Sequence, residues 1–166
     1  MSGRDEHVFL RGMEGIYDMR EYLRALRAKP RVIKSGALPW RKGPIQWNKD
    51  LVAPVHGHTQ AINAHTVELA PGGRSAKHGH QNEAVFYVLD GRGYDVHDGK
   101  RYDWQAGDVM VVPNQCVHQH INADPEKPAN MLVIKTKPLF MYLHLIFQEV
   151  SEADPKRPEG YRPAGF

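Results

Sequence analysis

Two pairs of histidines dominate the chemistry that this sequence could perform. His78 and His80 form one His-x-His pair, and His118 and His120 form a second pair further along the chain. Alternate residues of a β-strand point to the same face, so a strand can direct both imidazoles of a pair to one point, and an antiparallel neighbour can bring the two pairs together. Neutral imidazole binds iron, manganese, copper, nickel and zinc. The spacing therefore predicts a metal site.

Glycines and prolines divide the chain around these pairs into short segments rich in β-branched and aromatic residues. Such segments favour strands, and the glycines and prolines fall where antiparallel strands must reverse. An isolated His-x-His pair in a chain with ten histidines can equally be a solvated turn. The strand pattern around the pairs favours the metal site. We predict strands near residues 61–70, 84–90, 93–98, 108–112, 117–122, 130–136 and 140–148.

The segment from about residue 60 to residue 136 resembles the cupin superfamily through two motifs. The first motif is carried by Gly72, His78, His80 and Gly91. The second motif is carried by Gly107, Pro113, His118 and Asn122. Cupins are small antiparallel β-barrels that hold a metal inside. The resemblance implies an all-β fold, a single cupin barrel (a double-stranded β-helix or jelly roll) with an N-terminal helix and extended arms.

Position 84 departs from the first cupin motif, because Ala84 replaces the usual glutamate and Glu83 lies one place earlier. In a regular strand Ala84 shares the inward face with His80, while Glu83 points the other way. Glu83 could reach a metal only through a bulge or an irregular loop. We therefore predict a three-histidine site with Glu83 as a neighbour of the ligands or a salt-bridging residue. Metal coordination by Glu83 is the alternative.

The second His-x-His pair makes the sequence most similar to the ring-cleaving cupins, the gentisate, salicylate and hydroxynaphthoate dioxygenases. The resemblance implies that His78, His80 and His118 bind one Fe(II) per chain. It also implies that His120 contacts the substrate oxygen or dioxygen. Those enzymes commonly place an arginine for the substrate carboxylate where Phe86 stands here. A carboxylated substrate would need another partner for its charge, or the substrate lacks that carboxylate.

Three neutral imidazoles would leave a divalent metal its full charge and about three open positions. A substrate with adjacent oxygens could chelate there, with the metal as Lewis acid and electron conduit. His120, on the same strand face as His118, could donate or accept a proton near neutral pH. Its alternative roles are a fourth ligand or a buried hydrogen-bonding residue. The ligand set by itself does not select iron over manganese, nickel, copper or zinc.

The sequence-based hypothesis is thus a metal-dependent dioxygenase that acts on an oxygenated aromatic or diketone substrate. One alternative is an oxygen-independent metal enzyme on the same scaffold, such as an isomerase, lyase or decarboxylase. The other is a non-enzymatic cupin that binds a small ligand. Oxygen consumption separates the first two, and specific binding without turnover would indicate the third.

Five side chains are candidates for contact with the substrate: Phe86, Trp40, Trp47, His65 and Gln115. The two tryptophans belong to a segment rich in proline and aromatic residues, 38–47. Such a segment could cover the mouth of a barrel and stack on a planar substrate, or it could form a dimer contact or cover exposed core. His65 could face inward by strand parity.

The length of 166 residues and the hydrophobic content of 41% predict one globular domain. We divide the chain into an N-terminal helix and irregular arm (1–58), a cupin barrel (59–150) and an extended C-terminal tail (151–166). Apolar residues at helical spacing predict an amphipathic helix at about 13–28. Its arginines and lysines then form a solvated face, which argues against a nucleic-acid interface.

Cys116 is the single cysteine, which excludes an internal disulfide and fits a reducing compartment. It is out of register with His118 and His120, so we interpret it as a core side chain and not as a thiolate ligand. The N-terminus has no apolar signal segment, and the longest apolar stretch, 139–147, is too short to span a bilayer. We expect a cytoplasmic protein that takes a small-molecule substrate and binds neither membrane nor nucleic acid. The resemblance adds the expectation of a homodimer.

Overall fold

The computed structural model describes residues 18–163, which form eleven strands and two short α-helices. Helix α1 is Arg20–Arg27 and helix α2 is Lys137–Tyr142. The strands are β1 (Arg41–Lys42), β2 (Trp47–Val52), β3 (Asn63–Leu69), β4 (Lys77–His80), β5 (Ala84–Asp90), β6 (Arg92–His97), β7 (Lys100–Gln105), β8 (Val109–Val112), β9 (Val117–Asn122), β10 (Ala129–Lys135) and β11 (Gln148–Glu152).

The strands form two antiparallel sheets. Sheet A has six strands in the order β1-β2-β3-β10-β5-β8, and sheet B has five in the order β11-β4-β9-β6-β7. Crossover neighbours such as β3 beside β10 and β4 beside β9 are typical of a jelly roll. The predicted all-β fold is confirmed. The two sheets are not joined into a closed barrel, so the architecture is a β-sandwich.

The core lies between the inner faces of the two sheets. Burial alternates along β5, where Ala84, Phe86 and Val88 are buried while the residues between them are exposed. This period of two directs every second side chain inward, as in any sheet with one solvated face. The buried cluster contains residues of both sheets: Val67, Leu69, Ala84, Phe86, Val88, Trp104, Met110, Val112, Cys116, Ala129, Met131 and Val133.

Six predicted strands are present, but the one predicted at 140–148 is wrong. Residues Lys137–Tyr142 form helix α2, with Pro138 in its first turn, and the strand that follows is Gln148–Glu152. Proline is favoured at the start of a helix, because its nitrogen has no hydrogen bond to donate there. The segment is apolar at nearly every position, so its periodicity does not distinguish a helix from a strand.

Strands also occur in segments that were predicted to be irregular. β2 lies within the predicted N-terminal arm and pairs with β3, and β11 runs into the predicted tail and pairs with β4. β4 and β7 were not predicted either. Both sheets therefore contain strand residues from outside the predicted barrel, 59–150.

The chain divides into two compact units with a boundary between Val32 and Ile33. Among the described residues, the first unit contains helix α1, none of whose residues is buried. The predicted helix at about 13–28 begins outside the described residues. In residues 18–163 no helix is long and apolar enough to cross a membrane.

Candidate metal centre

Three neighbouring strands of sheet B bring histidines together between the sheets. His78 on β4 lies directly opposite His118 on β9, and His118 lies opposite His97 on β6. One step along the same face, His120 lies opposite Asp95. The His118 and His120 side chains are 0% and 1% exposed. The ring centroids of His78 and His118 are 4.2 Å apart, and those of His118 and His120 are 5.1 Å apart.

Backbone carbonyls fix the orientation of three imidazoles. Nδ1 donates to the carbonyl oxygen two residues away in three cases: from His78 to Ala76 at 3.0 Å, from His80 to Asn82 at 2.6 Å and from His118 to Cys116 at 3.0 Å. A carbonyl oxygen can only accept a hydrogen bond, so Nδ1 must carry the proton in each ring. In the neutral ring, Nε2 then carries the free lone pair.

A buried carboxylate fixes the fourth imidazole. Nδ1 of His120 donates to Oδ2 of Asp95 at 2.8 Å, and Nε2 of His97 donates to the same oxygen at 3.1 Å. Nε1 of Trp104 donates to Oδ1 at 2.9 Å. Burial acts to raise the pKa of Asp95, but the charge of His120 and the three hydrogen bonds outweigh it, so this pKa lies well below its usual value. Asp95 is therefore an ionised carboxylate inside the protein.

The free Nε2 atoms fit a divalent metal. Nε2 of His80, His118 and His120 is buried and has no hydrogen-bond partner among the described residues. Buried nitrogens with no partner are costly, and a metal ion would satisfy their lone pairs. His78, His118 and His120 each offer a ligand atom, and these atoms lie within 4.8 Å of one another. The His80 ring is adjacent, at 4.9 Å from the His118 ring.

Burial keeps these rings neutral. It lowers the pKa of His78 to about 3, with the charge of His120 as the next cause. It lowers the pKa of His80 to about 4, with Lys135 as the next cause. The pKa of His118 is also lowered, first by burial and then by His120 and His78. Neutral imidazole is the form that binds metals, so the environment favours the ligand state at neutral pH.

Two of the predicted substrate contacts lie on the inner face of sheet A. Phe86 is buried, and its ring centroid lies 4.6 Å from that of His120 across the sandwich. His65 is buried on β3, and burial followed by the charge of Lys135 lowers its pKa to about 3. Phe86 thus lies beside the histidine cluster, while His65 lies on the same inner face as Lys135.

The structure also locates three other residues considered in the sequence analysis, Glu83, Gln115 and Cys116. Glu83 is exposed, because it precedes β5 on the outward parity, so it neither joins the cluster nor forms an ion pair among the described residues. Gln115 is exposed with a φ of 64°, and it borders a cavity of about 290 Å³ together with His80. Burial raises the pKa of the Cys116 thiol to about 11, which disfavours a thiolate ligand.

Trp40 and Trp47 are not among the residues around the histidines. Both line a separate cavity of about 650 Å³ with residues of the C-terminal segment 155–163. Nζ of Lys49 lies 4.9 Å from the Trp40 ring. These tryptophans therefore lie beside the C-terminal segment.

Sequence reasoning missed three polar residues of the interior: Asp95, His97 and Lys135. The signal for the first two was strand parity, because Asp95 and His97 alternate with Val96 just as His118 and His120 alternate with Gln119. Lys135 has the parity of the buried residues Met131 and Val133. A charged residue at the end of a strand is more often solvated, so its inward direction was not evident.

Comparison with known proteins supports the fold and indicates a group of enzymes. Residues 65–135 match the family described as the cupin domain. One similar solved structure is that of a mutant of the salicylate 1,2-dioxygenase of Pseudoaminobacter salicylatoxidans in complex with gentisate. The two have a TM-score of 0.60 at 22% identity, and the similarity covers 87% of this chain and 44% of that one. A cupin-like protein of Thermotoga maritima gives a TM-score of 0.56 at 24% identity, covering 74% of this chain and 90% of that one. The fold is that of a cupin, as predicted.

Two curated relatives are 1,2-dioxygenases. This chain is 34% identical over 87 residues to the 5-aminosalicylate 1,2-dioxygenase of a Comamonas species, covering 52% of this chain and 22% of that protein. It is 28% identical over 94 residues to the 5-nitrosalicylic acid 1,2-dioxygenase of a Bradyrhizobium species, covering 57% and 43%. The matched region spans less than half the length of either relative.

Proposed function

We propose that this chain, a cupin that resembles the salicylate and gentisate dioxygenases, is a metal-dependent dioxygenase for an oxygenated aromatic or diketone substrate. The observation that carries the proposal is the set of four buried imidazoles whose Nδ1 atoms are all engaged, three of which, His78, His118 and His120, offer ligand atoms within 4.8 Å of one another. The names of the curated relatives support the reaction class.

His78, His80 and His118 would hold the metal in this proposal, and Fe(II) is the ion that we propose. When bound, Fe(II) would supply Lewis acidity and one-electron chemistry. The chain itself orients these three rings, because each Nδ1 donates to a backbone carbonyl two residues away. Such preorganisation reduces the ordering cost of binding.

His120 would accept a proton from the substrate. Its ring packs against Phe86, and its Nε2 lies within 4.8 Å of ligand atoms of His78 and His118. A hydroxyl group of a substrate that faces these ligands could give its proton to Nε2, and the Asp95 carboxylate behind Nδ1 would stabilise the imidazolium that forms. The same carboxylate keeps the ring in the tautomer that leaves Nε2 free to accept.

The inner face of sheet A would exclude water from the reacting groups. Phe86, Val88, Met110 and Val112 are buried, and they form an apolar wall opposite the histidines. A dry, apolar wall suits a planar ring and strengthens the electrostatic interactions of the polar groups across from it.

Metal analysis followed by oxygen uptake tests the proposal. The full chain is purified without oxygen, its metal content is measured by elemental analysis, and oxygen uptake is followed with catechols, gentisate-like acids and β-diketones. About one iron per chain with substrate-dependent uptake would support a dioxygenase. A stoichiometric metal without uptake on any compound would favour an oxygen-independent enzyme or a binding protein, and absence of metal would refute the proposal.

A further inference from the structure

A cavity of about 650 Å³ is lined by residues of two segments, 40–47 and 155–163. None of the four clustered histidines borders it. Cavities that bind small molecules in proteins usually have volumes of about 300–1,000 Å³. The cavity is therefore a candidate for a second binding site, apart from the metal centre.

Hydrogen bonds hold both walls of this cavity in place. Strands β1 and β2 pair as a hairpin in the first wall. In the second wall, the carbonyl oxygen of Lys156 accepts from the N–H of Arg74 at 2.9 Å. The Tyr161 hydroxyl donates to Oε1 of Glu68 at 2.5 Å, which ties the same wall to strand β3. Walls that are already ordered lower the entropic cost of binding a ligand.

Three hydrogen-bond donors of the residues that line this cavity are buried and have no acceptor. They are Nε1 of Trp40, Nε1 of Trp47 and Nη1 of Arg157, none of which has a partner within residues 18–163. Indole and guanidinium nitrogens can only donate. A buried donor without an acceptor is costly, so each of the three calls for an explanation. A ligand with several acceptor oxygens would supply the partners that the chain lacks.

The walls of the cavity carry an excess of positive charge. The charged residues that line it are three cations and one carboxylate: Lys42, Arg157, Arg162 and Glu159. They leave a net charge of +2. Within residues 18–163, no ion pair involves any of these four side chains. Cations that converge on a cleft without counter-charges favour the binding of an anion.

We propose that this cavity binds the phosphate group of a small molecule. A phosphate monoester carries about two negative charges at neutral pH and three acceptor oxygens, which match the net charge of the walls and the three unpaired donors. Arg157 would be the principal contact, because a guanidinium group pairs with phosphate through two parallel hydrogen bonds. The volume of the cavity leaves room for an organic group, to which the tryptophan rings offer flat apolar surfaces. This site is independent of the proposed function, because none of its residues belongs to the metal centre.

Calorimetric titration of the full chain with three compounds tests this inference. Phenyl phosphate and inorganic phosphate share the phosphate group, whereas benzoate carries a carboxylate on the same ring. The titrations are repeated on four variants: Arg157→Gln, Trp47→Phe, Arg162→Gln and Arg101→Gln. Trp47→Phe keeps an aromatic ring and removes one donor. Arg101 is the matched control, because this arginine is exposed, pairs with Asp103 and does not line the cavity.

We expect the wild-type chain to bind phenyl phosphate with a Kd below about 1 mM, and benzoate at least about tenfold more weakly. Arg157→Gln should weaken phenyl phosphate binding at least about tenfold, since a charge-assisted contact is lost. Trp47→Phe should weaken it about three- to tenfold, as expected for one neutral hydrogen bond. Arg162→Gln should weaken it about twofold, and Arg101→Gln should bind like the wild type. Tighter binding of phenyl phosphate than of inorganic phosphate would support the inference with an ester as the ligand, and equal binding would support it with free phosphate.

Unchanged phenyl phosphate affinity in Arg157→Gln would overturn the inference, as would a wild-type chain that binds neither phosphate compound or that binds benzoate equally well. If Arg157→Gln does not fold, unchanged affinity in both Trp47→Phe and Arg162→Gln would overturn it instead. Phosphate binding that His118→Ala abolishes and Arg157→Gln retains would place the anion at the metal centre and overturn it too. Metal content and oxygen uptake of Arg157→Gln should equal those of the wild type, which separates this result from the test of the proposed function.

Discussion

Asp95 and His120 form the carboxylate–imidazole pair at the centre of this site, with 2.8 Å between Oδ2 and Nδ1. The two residues face each other in register on β6 and β9 and are 0% and 1% exposed. A carboxylate behind an imidazole fixes its tautomer and raises the basicity of the opposite nitrogen. The pair therefore fixes the direction of Nε2 of His120.

Asp95→Asn should weaken metal binding and catalysis together. An amide cannot hold His120, His97 and Trp104 as a carboxylate does, so the His120 ring loses its fixed tautomer. We expect metal affinity or turnover to fall about 10- to 100-fold, as is usual for loss of a supporting carboxylate. Asp103→Asn is the control, because Asp103 is exposed and pairs with Arg101. Unaltered metal titration and turnover in Asp95→Asn would contradict this role.

Alanine replacements separate the metal ligands from the proton acceptor. His78→Ala, His80→Ala and His118→Ala should lose stoichiometric metal and all turnover, because each removes a preoriented Nε2. His120→Ala should retain metal but lose about 100-fold or more in turnover, the usual contribution of a general base. Elemental analysis and oxygen uptake measure the two effects. His144→Ala, at an exposed position outside the cluster, should behave as wild type.

The opposite result for His80 and His120 would exchange the roles of these two residues. If His120→Ala lost the metal while His80→Ala kept it, the ligands would be the three histidines whose ligand atoms lie within 4.8 Å of one another, His78, His118 and His120. His80 would then be the residue that contacts the substrate.

The sequence predicted the histidines but not the groups that support them. His-x-His spacing and strand parity were enough to place four imidazoles on one face. Asp95 and His97 were missed because their polar segment, Tyr94 to Asp98, also suits a solvated strand, and only the pairing of β6 with β9 turns both side chains inward. Pairing between distant strands is a tertiary property, which local patterns do not determine.

The fold was predictable to a similar extent. Strands with clear alternation, such as β5, were located within a residue or two. The predicted strand at 140–148 was wrong because a segment that is apolar at nearly every position shows neither a helical nor a strand period. Pro138 lies in the first turn of a helix there. The sequence leaves open whether Trp40 and Trp47 stack on a substrate, form a dimer contact or cover exposed core, and tertiary packing places both beside the C-terminal segment.

Metal-free protein should lose stability as the pH falls from about 6.5 towards 4. The pKa values of His65 and His78 fall from 6.5 to about 3 on folding, and that of His80 falls to about 4. Below pH 6.5 the unfolded chain therefore binds protons that the folded chain does not, so stability is greatest above 6.5 and is lost as the pH falls towards the folded values. Each histidine costs up to about 1.4 kcal/mol per pH unit in this window.

Urea unfolding between pH 4 and 8 measures this dependence. His65→Gln should flatten the acid side of the stability curve, because it removes one of the four histidines whose pKa burial lowers, His65, His78, His80 and His118. Bound metal should move the acid loss to lower pH, since it competes with protons for the neutral rings. Equal stability at pH 5 and pH 8 in the metal-free chain would contradict the burial of neutral histidines.

Gly93→Ala should destabilise the protein and disturb the Asp95 site from a distance. A Cβ at Gly93 would collide with the carbonyl oxygen of Ile121 and would lie 2.6 Å from the Trp104 ring. The ring would have to move, and with it the Nε1 donor that reaches Asp95 at 2.9 Å. We expect a loss of about 1–3 kcal/mol in the free energy of unfolding, the usual cost of overpacking, and a weaker metal affinity. Gly36→Ala is the matched control, because a Cβ there meets nothing within 4 Å. A Gly93→Ala variant with the stability of Gly36→Ala and unchanged metal binding would show that Trp104 can shift without loosening Asp95.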